Sequence, residues 1–501
     1  MRLVPVLAVL TSSALGQDIE AAERPNIIVI MADDLGYGDV SCYGAQRVQT
    51  PHIDRLAAKG LRFTSGYCSA STCTPTRYSF LTGRYAFRDP GTGIAAPQAT
   101  ALIQPGTVTV ASLLKSAGYR TAVIGKWHLG LGERPAPDWN GRLAPGPLEI
   151  GFDHCFLLPT TNDRVPSVYV ENHRVPNLDS DDPIWVGSQA PSAEHRTGLN
   201  ARDTLKLDWS HGHNGTIHNG IGRIGYFTGG KAARWRDEDL ADAWVERSTQ
   251  WIEENKDRPF FLFFSSHDIH VPRMPHERFQ GKTSLGLRGD AIVELDWCVG
   301  ELVETLDRLE LSEKTLIVFC SDNGPVLDDG YKDGAVEKLG DHRPTGPLSG
   351  GKYSILEGGT RTPFITCWPD RIEPGTSSEM VCTIDLPASL AAITGAMLPD
   401  GSCADSFDVS GALLGKEGAR GRDHLIQQDN GRSGKLGFRV GDWKLHRLPV
   451  KGEDAPRYAL FDLAKDIAEK NDVAGEHPDR VQELSRKLEA LIEAGGSRQG
   501  F

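Results

Sequence analysis

The chain has 501 residues, of which 39% are hydrophobic and 24% charged, and its formal net charge is −13 at pH 7. This composition is that of an ordinary globular protein, and the length predicts one large domain with a smaller one. The acidic balance argues against nucleic acid as a partner. An acidic protein that binds an anion must gather its cations locally, so basic residues near the reactive centre carry more weight than surface ones.

The amino terminus has the pattern of a secretory signal. Residues 1–16 contain an early positive charge at Arg2, an apolar run at 3–10 and small residues before Gln17, where we expect cleavage. A secreted or periplasmic protein is therefore predicted. No later apolar stretch reaches the roughly 20 residues that a membrane-spanning helix needs, so we expect no membrane span.

Four short apolar runs predict buried strands of a parallel sheet; they are residues 26–31, 121–124, 259–264 and 315–319. Between them, apolar residues at helical spacing predict amphipathic helices, most clearly at 237–255 and 290–309. This alternation predicts an α/β domain with helices on both faces of a large, mostly parallel sheet.

A long polar insert lies between the second and third predicted strands. Residues 162–234 are rich in Gly, Asn, His and Asp and have no clear periodicity. We therefore expect ordered loops that cover the edge of the sheet.

From about residue 422 onward, the hydrophobic pattern changes to short segments in which apolar and polar residues alternate. Short alternating segments precede an amphipathic helix at 478–493, and they are residues 436–440, 443–448 and 458–461. This pattern predicts a small antiparallel sheet with a terminal helix. We therefore divide the mature chain into a large domain at 17–420 and a carboxyl-terminal subdomain at 421–501.

Reactive residues follow all four predicted strands. In chain order they are Asp33 and Asp34, Lys126 and His128, His267 and His270, and Asp322 and Asn323. Ligands of open α/β sheets bind beyond the carboxyl ends of the strands. The sequence thus predicts one site at that edge of the sheet.

The most specific motif is Cys73-Thr74-Pro75-Thr76-Arg77, followed by Leu81-Thr82-Gly83. It resembles the signature of the type I sulfatases, which belong to the alkaline phosphatase superfamily. The resemblance implies an alkaline-phosphatase-like fold and a cysteine that a formylglycine-generating enzyme oxidises to formylglycine. In the family, one hydroxyl of the hydrated aldehyde attacks sulfur and the other later expels sulfate.

Local chemistry agrees with that role for Cys73. Pro75 favours the first turn of a helix, so residue 73 is predicted at a helix N-terminus, where backbone N–H groups favour an anion. Thr-Pro-Thr alone is also an ordinary helix start, which is the alternative interpretation. The whole pattern favours the functional one.

A metal site is implied by Asp33, Asp34, Asp322 and Asn323, which match the metal ligands of sulfatases residue by residue. With an oxygen from modified Cys73 they would form a hard-cation site, for which calcium is the first choice and magnesium the second. Asp-Asp-Leu-Gly after a strand is by itself typical of a turn. Its pairing with Asp-Asn-Gly after another strand favours the metal site.

Three further matches imply catalytic roles. Residues 125–130, GKWHLG, match a sulfatase motif in which Lys126 contacts the sulfate and His128 acts on the formylglycine hydroxyl. His270 corresponds to the family histidine that protonates the leaving alcohol. Lys352, in a Gly-Gly-Lys run, is expected to meet the sulfate, and with Lys126 and Arg77 it supplies the cations that an acidic chain needs. Glu357 and Arg361, in the matching run that follows, are expected to be structural.

The substrate is the least defined feature. The resemblance is strongest to the branch of arylsulfatase A and N-acetylgalactosamine-6-sulfatase, which implies a sulfated carbohydrate, with 6-sulfated galactose or N-acetylgalactosamine as first candidate. Clustered polar residues could bind its hydroxyl groups; the candidates are Asn162, Asp163, Arg164, His211, His213, His267 and His342. Turn or surface roles are the alternative for these residues, and His267 has a supporting role as its own alternative.

Two rival functions stay open from the sequence. Phosphate or phosphonate ester hydrolases of the same superfamily share the metal carboxylates and sometimes the formylglycine. A catalytically silent carbohydrate-binding protein is the second rival, and it would apply if Cys73 were left unmodified.

The chain has nine cysteines, with no CxxC pair and no cysteine–histidine zinc spacing. A zinc cluster is therefore not expected. Apart from Cys73, the remaining eight could form disulfides or lie as buried free thiols, and the sequence leaves both open.

Overall fold

The computed structural model describes residues 24–431, 433–453 and 455–498, so the predicted signal at 1–16 lies outside it. The strands are β1 Asn26–Ala32, β2 Leu61–Tyr67, β3 Arg120–Lys126, β4 His154–Leu158, β5 Val170–Glu171, β6 Trp185–Gly187, β7 Ile217–His218, β8 Ile221–Gly222, β9 Tyr226–Thr228, β10 Phe260–Ser265, β11 Thr315–Ser321, β12 Ile365–Cys367, β13 Gly375–Cys382, β14 His424–Gln428, β15 Leu436–Val440, β16 Trp443–Leu448 and β17 Arg457–Asp462. The α-helices are α1 Pro51–Lys59, α2 Cys73–Thr82, α3 Val110–Ser116, α4 Leu240–Asn255, α5 Leu287–Arg308, α6 Glu357–Thr360, α7 Leu386–Thr394, α8 Ser410–Leu413 and α9 Pro478–Glu493. Within the described residues, no helix has the length and apolar character needed to cross a membrane.

A nine-stranded mixed sheet forms the centre of the large domain, in the order β13-β2-β12-β11-β1-β10-β3-β4-β5. Only β12 and β5 run against their neighbours. The four predicted strands are β1, β3, β10 and β11, and they lie side by side in parallel. The predicted α/β fold with a mostly parallel sheet is confirmed.

The two faces of the sheet are covered by different helices. Along β1, Ile27 and Val29 pack in the core shared with α2, α3 and α7, whereas Ile28 and Ile30 pack in the core shared with α4 and α5. Successive side chains of a strand point to opposite faces, so a strand buried on both sides reads as a continuous apolar run. Both predicted helices are present: α5 begins three residues before 290, and α4 follows a 3₁₀ turn at Asp237–Asp239.

The smaller sheet is antiparallel, in the order β14-β15-β16-β17, and α9 packs against β16 and β17. Its prediction from alternating segments is confirmed, and the helix has the predicted bounds. The end of β14 pairs with the large domain, since the Gln428 N–H donates to Ser69 O at 3.0 Å and the Ser71 N–H donates to Gln428 O at 2.8 Å. The smaller sheet is therefore attached to the segment that leads into Cys73.

The insert at 162–234 is more structured than the sequence indicates. Its first strand, β5, extends the edge of the large sheet, and β6 pairs with β9 while β7 pairs with β8. Strands of two or three residues are too short to produce a detectable period, which explains why only loops were predicted.

All nine cysteines are free thiols, and all except Cys42 are buried. The open question between disulfides and buried thiols is thus answered in favour of thiols.

Candidate active site

The predicted reactive residues lie at one edge of the large sheet. Asp33 and Asp34 follow β1, Lys126 ends β3, and Asp322 follows β11. These strands run parallel in the order β11-β1-β10-β3, so their carboxyl ends lie at the same edge of the sheet, and all four side chains are fully buried. Three separate parts of the chain thus supply one buried group of charges.

Cys73 begins helix α2, as predicted, and points at a histidine. Its Sγ lies 3.1 Å from Nδ1 of His128, while Nε2 of His128 lies 3.1 Å from the carbonyl oxygen of Ala95. A carbonyl can only accept, so Nε2 carries the ring proton and Nδ1 is left to accept from residue 73. Burial raises the pKa of the Cys73 thiol and lowers the pKa of His128, which makes the resting pair neutral.

An acidic group lies next to this pair. Potential ligand atoms of Asp33, Asp34 and His270 all lie within 4.8 Å of one another. The Asn323 amide donates to Asp34 Oδ1 at 2.7 Å. Oδ1 of Asp33 and Oδ1 of Asn323 are buried and lack a hydrogen-bond partner among the described residues.

The two unpaired oxygens show whether the acidic residues suit a metal ion. Burial and the neighbouring Asp322 raise the pKa of Asp33 to about 8, so the aspartates cannot all be ionised without another positive charge. Unpaired buried oxygens and crowded carboxylates are the donor set of a hard divalent cation. The residues therefore fit the predicted metal site.

Three basic side chains surround the acidic group. Nε of Arg77 lies 2.9 Å from Oδ2 of Asp322, and Nζ of Lys126 contacts Asp33. Nζ of Lys352 lies 2.9 Å from Oδ2 of Asp34. The local concentration of cations that the acidic net charge required is present at these predicted positions.

His270 is oriented through one of its nitrogens. Nδ1 lies 2.7 Å from Val271 O and 3.2 Å from Oδ1 of Asn162, so it donates and leaves Nε2 for chemistry. His267 has different neighbours: its Nδ1 accepts from the Trp244 indole at 3.1 Å, and its Nε2 lies 3.6 Å from Asp268. Those contacts suit a supporting position for His267, and its sugar contact stays a prediction.

Several predicted sugar contacts from the insert are joined to the site. Asp163 accepts hydrogen bonds from Nη1 of Arg164 at 3.0 Å and from Nε2 of His213 at 2.9 Å. Burial opposes ionisation of Asp163, but Arg164 and His213 outweigh it and hold its pKa well below the usual range. Burial lowers the pKa of the Arg164 guanidinium, but the adjacent Asp163 carboxylate outweighs burial and raises that pKa above its ordinary value.

Two other candidates are placed differently. The side chain of His211 is exposed, 3.9 Å from Asp328. Nε2 of His342 lies 2.8 Å from Oδ1 of Asp39, whose carboxylate also binds Arg288. These contacts place His342 in a buried salt-bridge cluster rather than among the residues that surround Cys73.

Comparison with known proteins identifies the family. Residues 25–396 match the family model described as Sulfatase. The chain belongs to the sulfatase family. It is accordingly a sulfuric ester hydrolase, and the family uses a formylglycine and a divalent metal ion.

Relatives of this sulfatase match nearly its whole length. It is 45% identical to an N-acetylgalactosamine-6-O-sulfatase of Bacteroides thetaiotaomicron, over 98% of both chains. It is 31% identical to human arylsulfatase A, over 97% of this chain and 92% of the relative. A solved structure from work on the metabolism of glycosaminoglycans by Bacteroides thetaiotaomicron is 46% identical, with a TM-score of 0.90, and covers 94% of this chain and 100% of its own.

The sequence missed two residues of the sulfatase site. Asp329 lies 2.7 Å from Nζ of Lys352 and accepts a hydrogen bond from the Tyr353 hydroxyl at 2.9 Å. Asp329 belongs to no motif, and 23 residues separate it from its lysine partner. Tyr353 follows directly after a predicted lysine, and that adjacency was the available signal.

Proposed function

We propose that this sulfatase removes the 6-sulfate from N-acetylgalactosamine or galactose in a sulfated carbohydrate, using formylglycine at position 73 and a calcium ion. The observation that carries the proposal is a buried Cys73 thiol 3.1 Å from His128 in a chain 45% identical to an N-acetylgalactosamine-6-O-sulfatase. Asp33, Asp34, Asp322 and Asn323 would hold the calcium, which supplies positive charge beside residue 73. Magnesium is the second choice.

His128 accepts the proton that residue 73 releases. Formylglycine supplies, as its hydrated aldehyde, two hydroxyl groups on one carbon, one to attack sulfur and one to release sulfate. Nδ1 of His128 faces residue 73 with its lone pair free, because Nε2 donates to Ala95 O. Burial, Arg164 and Lys126 lower the pKa of His128, so the ring is neutral and able to accept a proton.

Lys126 and Lys352 bind the sulfate group of the substrate. The ammonium groups of Lys126 and Lys352 already lie against aspartates of the acidic group, at the place where negative charge has to be neutralised. Both are buried, and a low-dielectric site strengthens their attraction for sulfate oxygens. Arg77 neutralises Asp322 and holds it in place.

The leaving alcohol receives its proton from His270. Burial, Lys352 and Lys126 lower the pKa of this histidine, so it is neutral in the free enzyme. A bound sulfate ester adds negative charge, which favours protonation at Nε2, the nitrogen that does not donate to Val271 O. Delivery of that proton to the ester oxygen completes the departure of the alcohol.

The proposal also includes maturation, location and sugar contacts. We propose that a formylglycine-generating enzyme oxidises Cys73 and that the chain is exported to a secreted or periplasmic location after cleavage near Gln17. Asp163, Arg164 and His213 are the proposed sugar contacts, because the charges of Asp163 and Arg164 act on His270 and His213 binds Asp163.

Positional isomers of one sugar provide the test. We expect the purified protein to hydrolyse N-acetylgalactosamine 6-sulfate and to leave the 4-sulfate unchanged, with sulfate release measured by ion chromatography. The mass of the peptide that spans position 73 is measured on the same sample, and we expect formylglycine there. A fully modified protein that hydrolyses only phosphate esters would contradict the proposal, and an unmodified thiol would favour a carbohydrate-binding role without catalysis.

A further inference from the structure

Tyr353 stands out as an exposed aromatic ring beside a buried centre. It is 42% exposed, whereas its neighbour Lys352 is 8% exposed and Cys73 is 2% exposed. Nζ of Lys352 lies 5.5 Å from the centre of the tyrosine ring. Because the ring faces solvent next to a cation that does not, Tyr353 lies at the entrance to the site.

The backbone of Tyr353 has an uncommon conformation. Its φ is +73°, in the left-handed region that an aromatic residue seldom adopts. Such a conformation persists where the surroundings hold it, and it is concentrated at functional sites. The position of this ring is therefore fixed at a cost in backbone energy.

Two hydrogen bonds hold Tyr353 in that conformation. Its backbone N–H donates to Ser71 O at 2.9 Å, two residues before Cys73. Its hydroxyl donates to Oδ1 of Asp329 at 2.9 Å, and Oδ2 of the same carboxylate lies 2.7 Å from Nζ of Lys352. The ring is thus tied both to the segment that carries the nucleophile and to the cation proposed to bind sulfate.

We infer that the ring of Tyr353 is the wall on which the sugar stacks, so that it selects galacto-configured 6-sulfates. This inference rests on the proposed function. In galacto-configured sugars the axial hydroxyl group leaves the carbon-bound hydrogens of one ring face as an apolar patch. That patch adjoins the carbon that bears the 6-sulfate, so a sulfate on Lys352 brings the patch to the neighbouring aromatic ring.

Replacement of Tyr353 by glycine tests the inference without strain, since glycine adopts positive φ readily. We expect Tyr353→Gly to raise KM for N-acetylgalactosamine 6-sulfate by up to about tenfold, near the upper end of what one aromatic contact contributes. Tyr353→Phe, which keeps the ring, should stay close to wild type. Tyr353→Asn, whose side chain also tolerates this backbone conformation, provides a second variant without the ring.

One further measurement and one control variant separate the loss of stacking from other causes of a raised KM. Inhibition by inorganic sulfate reports on Lys352 and the centre alone, so its Ki should stay within about twofold in all three variants, well below the tenfold expected for a lost aromatic contact. Met397→Gly, at an apolar side chain that is 82% exposed, is the matched control for loss of exposed surface.

The outcomes that overturn the inference are distinct. An unchanged KM in Tyr353→Gly, an equal loss in Tyr353→Phe, or a parallel rise of the sulfate Ki would each overturn it while leaving the proposed function intact. Wild-type hydrolysis of other sulfate esters but of no galacto-configured 6-sulfate would overturn both.

Discussion

Two buried groups of charge in this molecule differ in how completely they are satisfied. One is the candidate active site; the other, here called the junction cluster, joins helix α6 to the smaller sheet and consists of Glu357, Arg361, Arg439, Lys444, His446 and Glu469. At the junction, Glu357 accepts from the Tyr67 hydroxyl at 2.5 Å and from Nζ of Lys444 at 2.9 Å. Both oxygens of each junction carboxylate have partners.

The pKa values of Glu357 at the junction and of Asp33 at the active site are shifted in opposite directions. Burial opposes ionisation of Glu357, but Lys444, Arg361 and Arg439 outweigh it and hold its pKa well below the usual range. At the active site, burial and the charge of Asp322 outweigh the effect of Lys126, and they raise the pKa of Asp33 to about 8. The carboxylates of the junction cluster thus form a satisfied polar network, whereas the unpaired oxygens of Asp33 and Asn323 lie among crowded carboxylates, which is the donor set of a metal ion.

The largest expected effect is on catalysis, at Cys73. Cys73→Ala should reduce turnover of N-acetylgalactosamine 6-sulfate to the uncatalysed background, because alanine supplies no hydroxyl group to attack sulfur. The variant should keep the wild-type melting temperature. Cys155→Ala, at another fully buried thiol on β4, is the control and should keep its turnover. Substantial activity in Cys73→Ala would remove residue 73 from the role of nucleophile.

A smaller but large effect on stability is expected at the junction. Lys444→Met leaves Glu357 and Glu469 buried without their shared cation, which should lower the free energy of unfolding by about 3–5 kcal/mol. Denaturant titration measures this change. Lys465→Met, at an exposed lysine paired with Asp462 in the same subdomain, should change it by less than about 1 kcal/mol. Equal effects of the two substitutions would mean that the junction cluster contributes no more than a surface pair.

The strand-end residues of the active site could be predicted from the sequence because each follows an apolar run of the right length. Strands β1, β10 and β11 are buried along their whole length, so no polar face interrupts the pattern. Strand β2 escaped prediction because Arg62, Thr64 and Ser65 interrupt its apolar residues. The central strands of this sheet can therefore be predicted from the sequence because they are buried on both faces.

Contacts between distant segments could not be predicted. The sequence predicts structural roles for Glu357 and Arg361, but Lys444, the partner of Glu357, is 87 residues from it in sequence, and no local pattern connects the two. The left-handed backbone at Tyr353 gave no signal either, since glycine is the usual marker of positive φ. Both features depend on contacts between segments that are far apart in the sequence.

Calcium should distinguish the two clusters by its effect on stability. At a free concentration one hundred times its Kd, an ion that binds only the folded protein raises the free energy of unfolding by about 2.7 kcal/mol. We expect this gain when calcium is added to chelator-treated protein, with denaturant titration as the measurement. Asp33→Asn should lose most of the gain and Lys444→Met should keep it. A gain that survives Asp33→Asn would place the calcium elsewhere.

The smallest expected effect is the response of the junction cluster to acid. The folded pKa of Glu357 lies below its ordinary 4.5, so the unfolded chain takes up the proton first as the pH falls. Stability from this group is therefore present above pH 4.5 and declines below it, by at most about 1.4 kcal/mol per pH unit for one proton. Glu357→Gln has no such proton to bind, so its unfolding free energy should change less steeply over the acid range than that of the wild type. Parallel acid slopes in the two proteins would show that other carboxyl groups govern acid unfolding and that the charge on Glu357 adds nothing specific to the junction.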